Sequence, residues 1–115
     1  MGSPVNLIQL LQGYLHVTGD RQQIVASNMA NVDTPGYQTR DVDFQQAMQQ
    51  AMNTNGGPQL EPASMSVDGL PERPDGNNVN IDRESMVLSE TQLQYQMGVQ
   101  LIEDQFHTLL TAIKE

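Results

Sequence analysis

The sequence has no cysteine and no tryptophan, and only three tyrosines and two phenylalanines among 115 residues. Without thiols there is no disulfide framework and no Cys-based metal or redox centre. Basic residues are also scarce, with five Lys and Arg against fourteen Asp and Glu, a net charge of −9. They stand singly, at Arg21, Arg40, Arg73, Arg83 and Lys114. No patch follows phosphates or attracts anionic lipid, so neither a nucleic-acid partner nor membrane docking is expected. No stretch approaches the roughly 20 apolar residues of a membrane span, so direct membrane insertion is not expected either. The opening Met1-Gly2-Ser3-Pro4 has no basic region, and the apolar stretch after it is broken by Gln9, Gln12 and Gly13. The expectation is an export route, if any, that removes no leader.

Catalytic constellations are missing as well. His16 and His107 are isolated on separate helical stretches, and Ser27 and Ser89 have no base beside them. Asp41 and Asp43 lack a third ligand and read as helix caps. Asp75-Gly76-Asn77-Asn78 opens like a calcium loop, but its sixth position is Asn80 instead of Gly and its twelfth is Met86 instead of Glu. Met29, Met48, Met52, Met86 and Met97 read as gap-filling residues of a core or interface. No enzyme, cofactor, metal or small-molecule substrate is expected.

What the chain does have is amide side chains and helical periodicity. Fifteen Gln and eight Asn occur beside a single Lys. Gln-covered helix faces hydrogen-bond to neighbours without charges that must be desolvated, which suits crowded subunit contacts.

The expected fold is all-α, a single domain over residues 1–115 with two long terminal helices around a broken middle. Ser3-Pro4 is a helix start, Ser at the cap and Pro at the first position. Leu7, Leu10, Leu11, Tyr14, Val17, Ile24 and Val25 then recur at helical spacing. The helix ends before Thr34-Pro35, giving a range of 4–32. Its stripe weakens where Thr18, Arg21 and Asn28 fall on or near the seam, and Gly13 and Gly19 lower local stability. Residues 33–43 form a junction turn, in which Gly36 supplies the positive φ of a type II turn after Pro35. A short helix over 44–53, capped by Asp41 or Asp43, carries Phe44, Ala47, Met48, Ala51 and Met52 on one face. Residues 54–80, interrupted by Pro and Gly, read as irregular and flexible, ordering against a partner.

The last helix, 81–114, is the clearest. Leu88, Gln92, Tyr95, Val99, Ile102, Phe106, Leu109 and Ile113 alternate steps of four and three, a heptad seam polar only at Gln92 and, upstream, Ser85. Met86, Leu93, Met97, Leu101 and Leu110 widen the apolar face beyond what one partner helix covers. Asn80 or Asp82 caps the start, and Lys114 suits the dipole at the end. Such surplus surface marks an assembly subunit. The expected packing and assembly seam therefore comprises Leu88, Tyr95, Val99, Ile102, Phe106, Leu109 and Ile113 with Leu7, Leu11 and Tyr14.

The segment Ala26-Ser27-Asn28-Met29-Ala30-Asn31-Val32-Asp33-Thr34-Pro35-Gly36-Tyr37 closely resembles the N-terminal signature of the bacterial flagellar rod and hook family. Arg40-Asp41-Val42-Asp43-Phe44, Asp75-Gly76-Asn77-Asn78-Val79-Asn80-Ile81-Asp82 and Leu93-Gln94-Tyr95-Gln96 resemble its proximal-rod branch. The resemblance implies a structural protein of the basal body, required for motility, whose terminal helices pair antiparallel as a coiled coil. It implies a shared junction at Asn28, Asn31, Thr34, Pro35, Gly36 and Tyr37. The implied partners are copies of itself, sister rod proteins, the small adaptor joining rod to ring, and the type III export apparatus. The implied location is the periplasmic rod, reached without leader cleavage. The competing expectation is a cytoplasmic helical-hairpin export adaptor or chaperone, which needs the coiled-coil seam but not the junction signature.

Overall fold

A computed structural model describes residues 4–53 and 64–114 of the chain. The elements run α1 (Pro4–Ala30), β1 (Arg40–Val42), α2 (Phe44–Asn53), β2 (Ser64–Ser66) and α3 (Ile81–Lys114). The molecule is elongated, 65 × 24 × 20 Å, and α3 alone runs about 51 Å at 1.5 Å per residue.

Local chemistry sets the helix ends. The last turn of α1 tightens as the Val32 amide reaches the Met29 carbonyl, and the Asn31 side chain donates to the Ser27 carbonyl. Thr34-Pro35 then prevents continuation. Asp43 caps α2, its Oδ1 accepting from the Gln46 amide at 3.2 Å. Asn80 caps α3, accepting from the Arg83 amide at 3.1 Å. Asp82 and Glu84 stand in the first turn of α3 and Lys114 in the last, matching the helix dipole. The Ser3 cap expected for α1 lies outside the described residues.

The long helices run antiparallel: Tyr14 and Leu15 meet Gly98, Gly19 meets Tyr95, and Asn28 meets Glu84. Helix α2 packs across α1 rather than α3. Ala51 sits under Gly13, where an added Cβ would stand 3.3 Å from the Ala51 Cβ. Gly13, a weak point by helix propensity, is therefore the place where two helix backbones come close. Val17, Val42, Ala47 and Ala51 form the small core, flanked by Ile24, Phe44 and Met48. Tyr14 and Phe44 meet edge to face, with ring centroids 5.7 Å apart.

The middle of the chain differs from the all-helical, irregular expectation. Strands β1 and β2 pair antiparallel in the register Arg40 with Ser66, Asp41 with Met65 and Val42 with Ser64. The Val67 amide continues the ladder to the Thr39 carbonyl. Three residues per strand leave no readable period of two, which is why only turns were visible there. Residues 67–80 then fold back onto the end of α1. The rest of the segment expected to be flexible, 54–63, lies outside the described residues.

Candidate functional site

Arg21 and Asn28, two of the polar residues that interrupt the stripe of α1, build the closed end of the hairpin. Asn28 is fully buried. Its Nδ2 donates to the Arg40 carbonyl at 2.8 Å and to Glu84 Oε1 at 2.5 Å. Its Oδ1 accepts from the Arg40 amide and from the Tyr37 hydroxyl. One amide side chain thus ties α1 to β1, α3 and the junction turn, with every donor and acceptor used.

A charged lattice continues from it. Arg21 grips Asp41 through two nitrogens, Nε to Oδ1 at 2.9 Å and Nη2 to Oδ2 at 3.2 Å. Arg83 bridges Asp41 Oδ2 at 2.9 Å and Glu84 Oε2 at 2.6 Å. The Val42 amide adds a fourth bond to Asp41. Burial alone would raise the Asp41 carboxyl, but the Arg21, Val42 and Arg83 bonds overcome it and hold the group below the usual carboxylate range. The Asp41 bond in turn holds Arg21 above its ordinary value. For Arg83, burial works against the charge, and the bonds to Glu84 and Asp41 outweigh it. Asp41, expected as a cap, is the pivot of this lattice, and capping falls to Asp43 alone.

The junction turn and the segment before α3 hold each other. Gly36 has φ 76°, the left-handed backbone of the turn, closed by the Tyr37 amide on the Thr34 carbonyl. The Gly36 amide donates to the Asp75 carbonyl at 2.9 Å. Gly76, also at positive φ, brings its missing side chain to within 3.4 Å of Gly36 Cα. Buried Asn77 donates to the carbonyls of Asn31 and Thr34, and accepts from the Val79 amide. Buried Asn78 accepts from the Thr39 amide at 2.6 Å. The Arg73 guanidinium donates to the carbonyls of Val32 and Val79. Asn31 accepts from the Thr34 hydroxyl, while Pro35 is exposed. Two stretches forty residues apart in sequence are one docked unit.

The match to a family model falls on this same region, whereas the similarity to individual relatives spans nearly the whole chain. Residues 19–38 match the family described as flagella basal body rod protein. The chain is 33% identical to the flagellar basal body rod protein FlgB of Salmonella typhimurium, across 93% of this chain and 92% of that protein. The chain belongs to the FlgB family of flagellar basal body rod proteins. The Escherichia coli FlgB is 30% identical across the same shares, and that of Proteus mirabilis 28% across 96% of this chain and 95% of that protein. These relatives are rod proteins of the flagellar basal body. No helix among the described residues is long and apolar enough to cross a membrane, and no cluster there is fit to hold a metal ion.

In this FlgB-family chain the expected seam of α3 flanks the contact with α1 instead of forming its centre. The buried residues of α3 are Glu84, Val87, Thr91 and Gly98. Val87, Thr91 and Gly98 each precede a seam residue (Leu88, Gln92, Val99), a rotation of about 100° on the helix. Leu88, Val99, Ile102 and Leu109 are half-buried beside the contact, whereas Tyr95, Phe106 and Ile113 are exposed, Ile113 by 72%. On α1, Leu11 is buried, Tyr14 half-buried and Leu7 exposed. The reason is close approach: a Cβ at Gly98 would stand 2.7 Å from Leu15 Cδ2 and 3.2 Å from Tyr14 Cδ2. Small and polar residues admit the α1 backbone, and the bulky ones are displaced to either side. The signal was present in the heptad column Glu84, Thr91, Gly98 and Gln105, which no apolar count detects.

Proposed function

We propose that the chain works as a non-catalytic subunit of the proximal flagellar rod that polymerises through its terminal helices, α1 and α3 acting as an antiparallel coiled-coil hairpin. The observation that carries this reading is the apolar surface of α3. Tyr95, Phe106, Ile113 and Leu110 stand exposed on a helix whose start is locked by the Asn28–Glu84–Arg83–Asp41 lattice. A rod that transmits torque needs stiff axial helices with seams left open for neighbours. The partners in this reading are copies of the chain, sister rod proteins and the adaptor joining rod to ring, after passage through the type III export apparatus. The site of action is the periplasmic rod. Membership of a rod-protein family disfavours the cytoplasmic adaptor or chaperone.

The test is a strain lacking the gene, complemented by the parent or by Phe106→Asp, scored for swimming and for the protein in purified basal bodies. The parent is expected to restore both and Phe106→Asp neither. Swimming without the gene, with the protein confined to the cytoplasm, overturns the reading.

A further inference from the structure

Sulfur in this chain is all thioether. There is no cysteine, and the seven methionines are its most readily oxidised side chains. Two groups of them differ in their surroundings. Met65, Met86 and Met97 stand out in water, exposed by 48%, 65% and 55%. Oxygen added to them meets solvent, and the fold of the single chain is indifferent to it. Met48 and Met52 are half-buried on α2 and hold that helix to α1.

Met48 and Met52 lie four residues apart, on one face of α2. Both reach Gly13 of α1, where an added Cβ would stand 3.8 Å from Met48 Cε and 3.8 Å from Met52 Sδ. Beside them an open groove of about 520 Å³, with Leu10 and Gln49 in its walls, admits dissolved reagents to both thioethers. The surface they press on has no hydrogen-bond donor to offer. Ala51 and Leu10 are apolar, and the Gly13 amide is committed inside α1.

Helix α2 has little else to hold it. It is ten residues long and has no charged residue, so it makes no ion pair with another element. An isolated helix of that length does not persist in water. Its anchors are Phe44, Ala47, Ala51 and the two methionines.

We propose that Met48 and Met52 form an oxidation-sensitive clamp, on which hydrogen peroxide acts to release α2 from α1. The sulfur lone pair attacks one peroxide oxygen, and the O–O bond breaks as the S–O bond forms. The departing hydroxide takes the proton of the transferred oxygen and leaves as water. Each thioether loses two electrons to become a sulfoxide, and the peroxide is reduced. The sulfoxide oxygen is a hydrogen-bond acceptor. Packed against Gly13 it has no donor, so the methionine must leave the contact to hydrate it. With both methionines displaced, Val17, fully buried with Ala47 and Ala51, is opened to water. A methionine sulfoxide reductase reverses the step: two thiols supply the electrons and become a disulfide, and the oxygen leaves as water. The clamp operates in the single chain, whether or not that chain enters a rod.

The test treats the full chain with hydrogen peroxide, locates sulfoxides by peptide mass spectrometry and reads helix opening by amide hydrogen exchange. Met65, Met86 and Met97 are expected to oxidise first, with no change in exchange across α2. As Met48 and Met52 follow, exchange across α2 should accelerate about tenfold or more, while the closed end around buried Asn28 stays protected. Met48→Leu/Met52→Leu nearly conserves volume and should keep α2 protected before and after the same treatment. If that variant does not hold α2 even before peroxide, reductase treatment of the oxidised parent decides. Recovered protection is the expected result, and unrecovered protection with both sulfurs reduced overturns the clamp. Three further results overturn it: α2 still protected in a parent with both sulfoxides formed, thioethers at 48 and 52 that peroxide does not reach in the folded chain, or a leucine variant that loses α2 protection on oxidation as the parent does.

Discussion

The two ends of the hairpin are built from opposite materials. At the closed end polar side chains are buried beside Val25, Val42, Val79 and Val87: Asn28, Asn77, Asn78, Asp41, Glu84 and Thr39. Each of the first five is met by hydrogen bonds from another part of the chain or from a neighbouring amide. At the open end large apolar side chains stand exposed among the polar ones: Leu101, Phe106, Leu110 and Ile113. A folded monomer ordinarily arranges these the other way. The difference teaches that specificity of the chain's own fold resides in the junction, whereas the burial available to the long helices is left for association. A satisfied polar lattice tolerates one geometry only, because every missing partner is a buried unpaired group. An apolar flank accepts a neighbour wherever shape permits.

The contrast breaks most severely at Asn28. Asn28→Leu keeps the volume but leaves the Glu84 carboxylate and the Arg40 amide short of partners. The expected loss is about 3–5 kcal/mol in urea unfolding of the isolated chain. A loss below about 1 kcal/mol would mean that the lattice does not hold the closed end.

Asp41→Asn removes the pivot charge and costs less, since its neighbours Arg21 and Arg83 retain Glu90 and Glu84. It also has a pH signature. The folded Asp41 carboxyl is held below its unfolded value of about 3.9, so its contribution is complete above that pH. It is lost as pH falls through the folded value. Acid titration of stability should therefore be flatter below about pH 4 in Asp41→Asn than in the parent. Identical acid limbs would separate Asp41 from acid unfolding.

Gly98→Val tests the close approach along the middle of the pair. The Leu15 end can swing away but the Tyr14 ring has less room, so a cost of about 1–3 kcal/mol is expected by thermal or urea unfolding. Gly36→Val meets no atom within 4 Å. Its cost is the backbone's alone, about 1–2 kcal/mol, read from the same curves and accompanied by weaker assembly. If Gly36→Val assembles as well as the parent, the turn is not rigidly required. The smallest effect on the monomer belongs to Phe106→Asp at the open end. Its stability should stay within about 0.5 kcal/mol of the parent, while swimming is lost.

Much of this fold is legible in the sequence because long helices write long periods. Three helices, two of them long and terminal, follow from apolar spacing, Pro35 and the amide and carboxylate caps. The short strands were not legible, since three residues carry too little alternation to distinguish from loop. The junction motif was visible as a turn, but its binding to Asp75–Asn78 was not, because nothing local pairs residues forty apart. The weakening of the α1 stripe at Thr18, Arg21 and Asn28 was visible too, without its reason. Arg21 and Asn28 reach Asp41, Arg40 and Glu84, so their polarity is the junction lattice and not a fault in the helix, while the Thr18 hydroxyl is met by the Tyr14 carbonyl of its own helix.

By itself the sequence determined which segments are helical, that α3 has more apolar surface than one neighbour can cover, and which family signature the junction carries. These are properties of spacing and of local backbone chemistry, complete within a few turns. Only the tertiary structure decided which face of α3 meets α1. Apolar periodicity measures how much surface a helix must bury, not against whom. Closeness of approach at Gly98 and the satisfaction of Glu84 by Asn28 and Arg83 selected a small, polar strip for the partner within the chain. The bulky residues were thereby turned outward to either side, where neighbours can reach them.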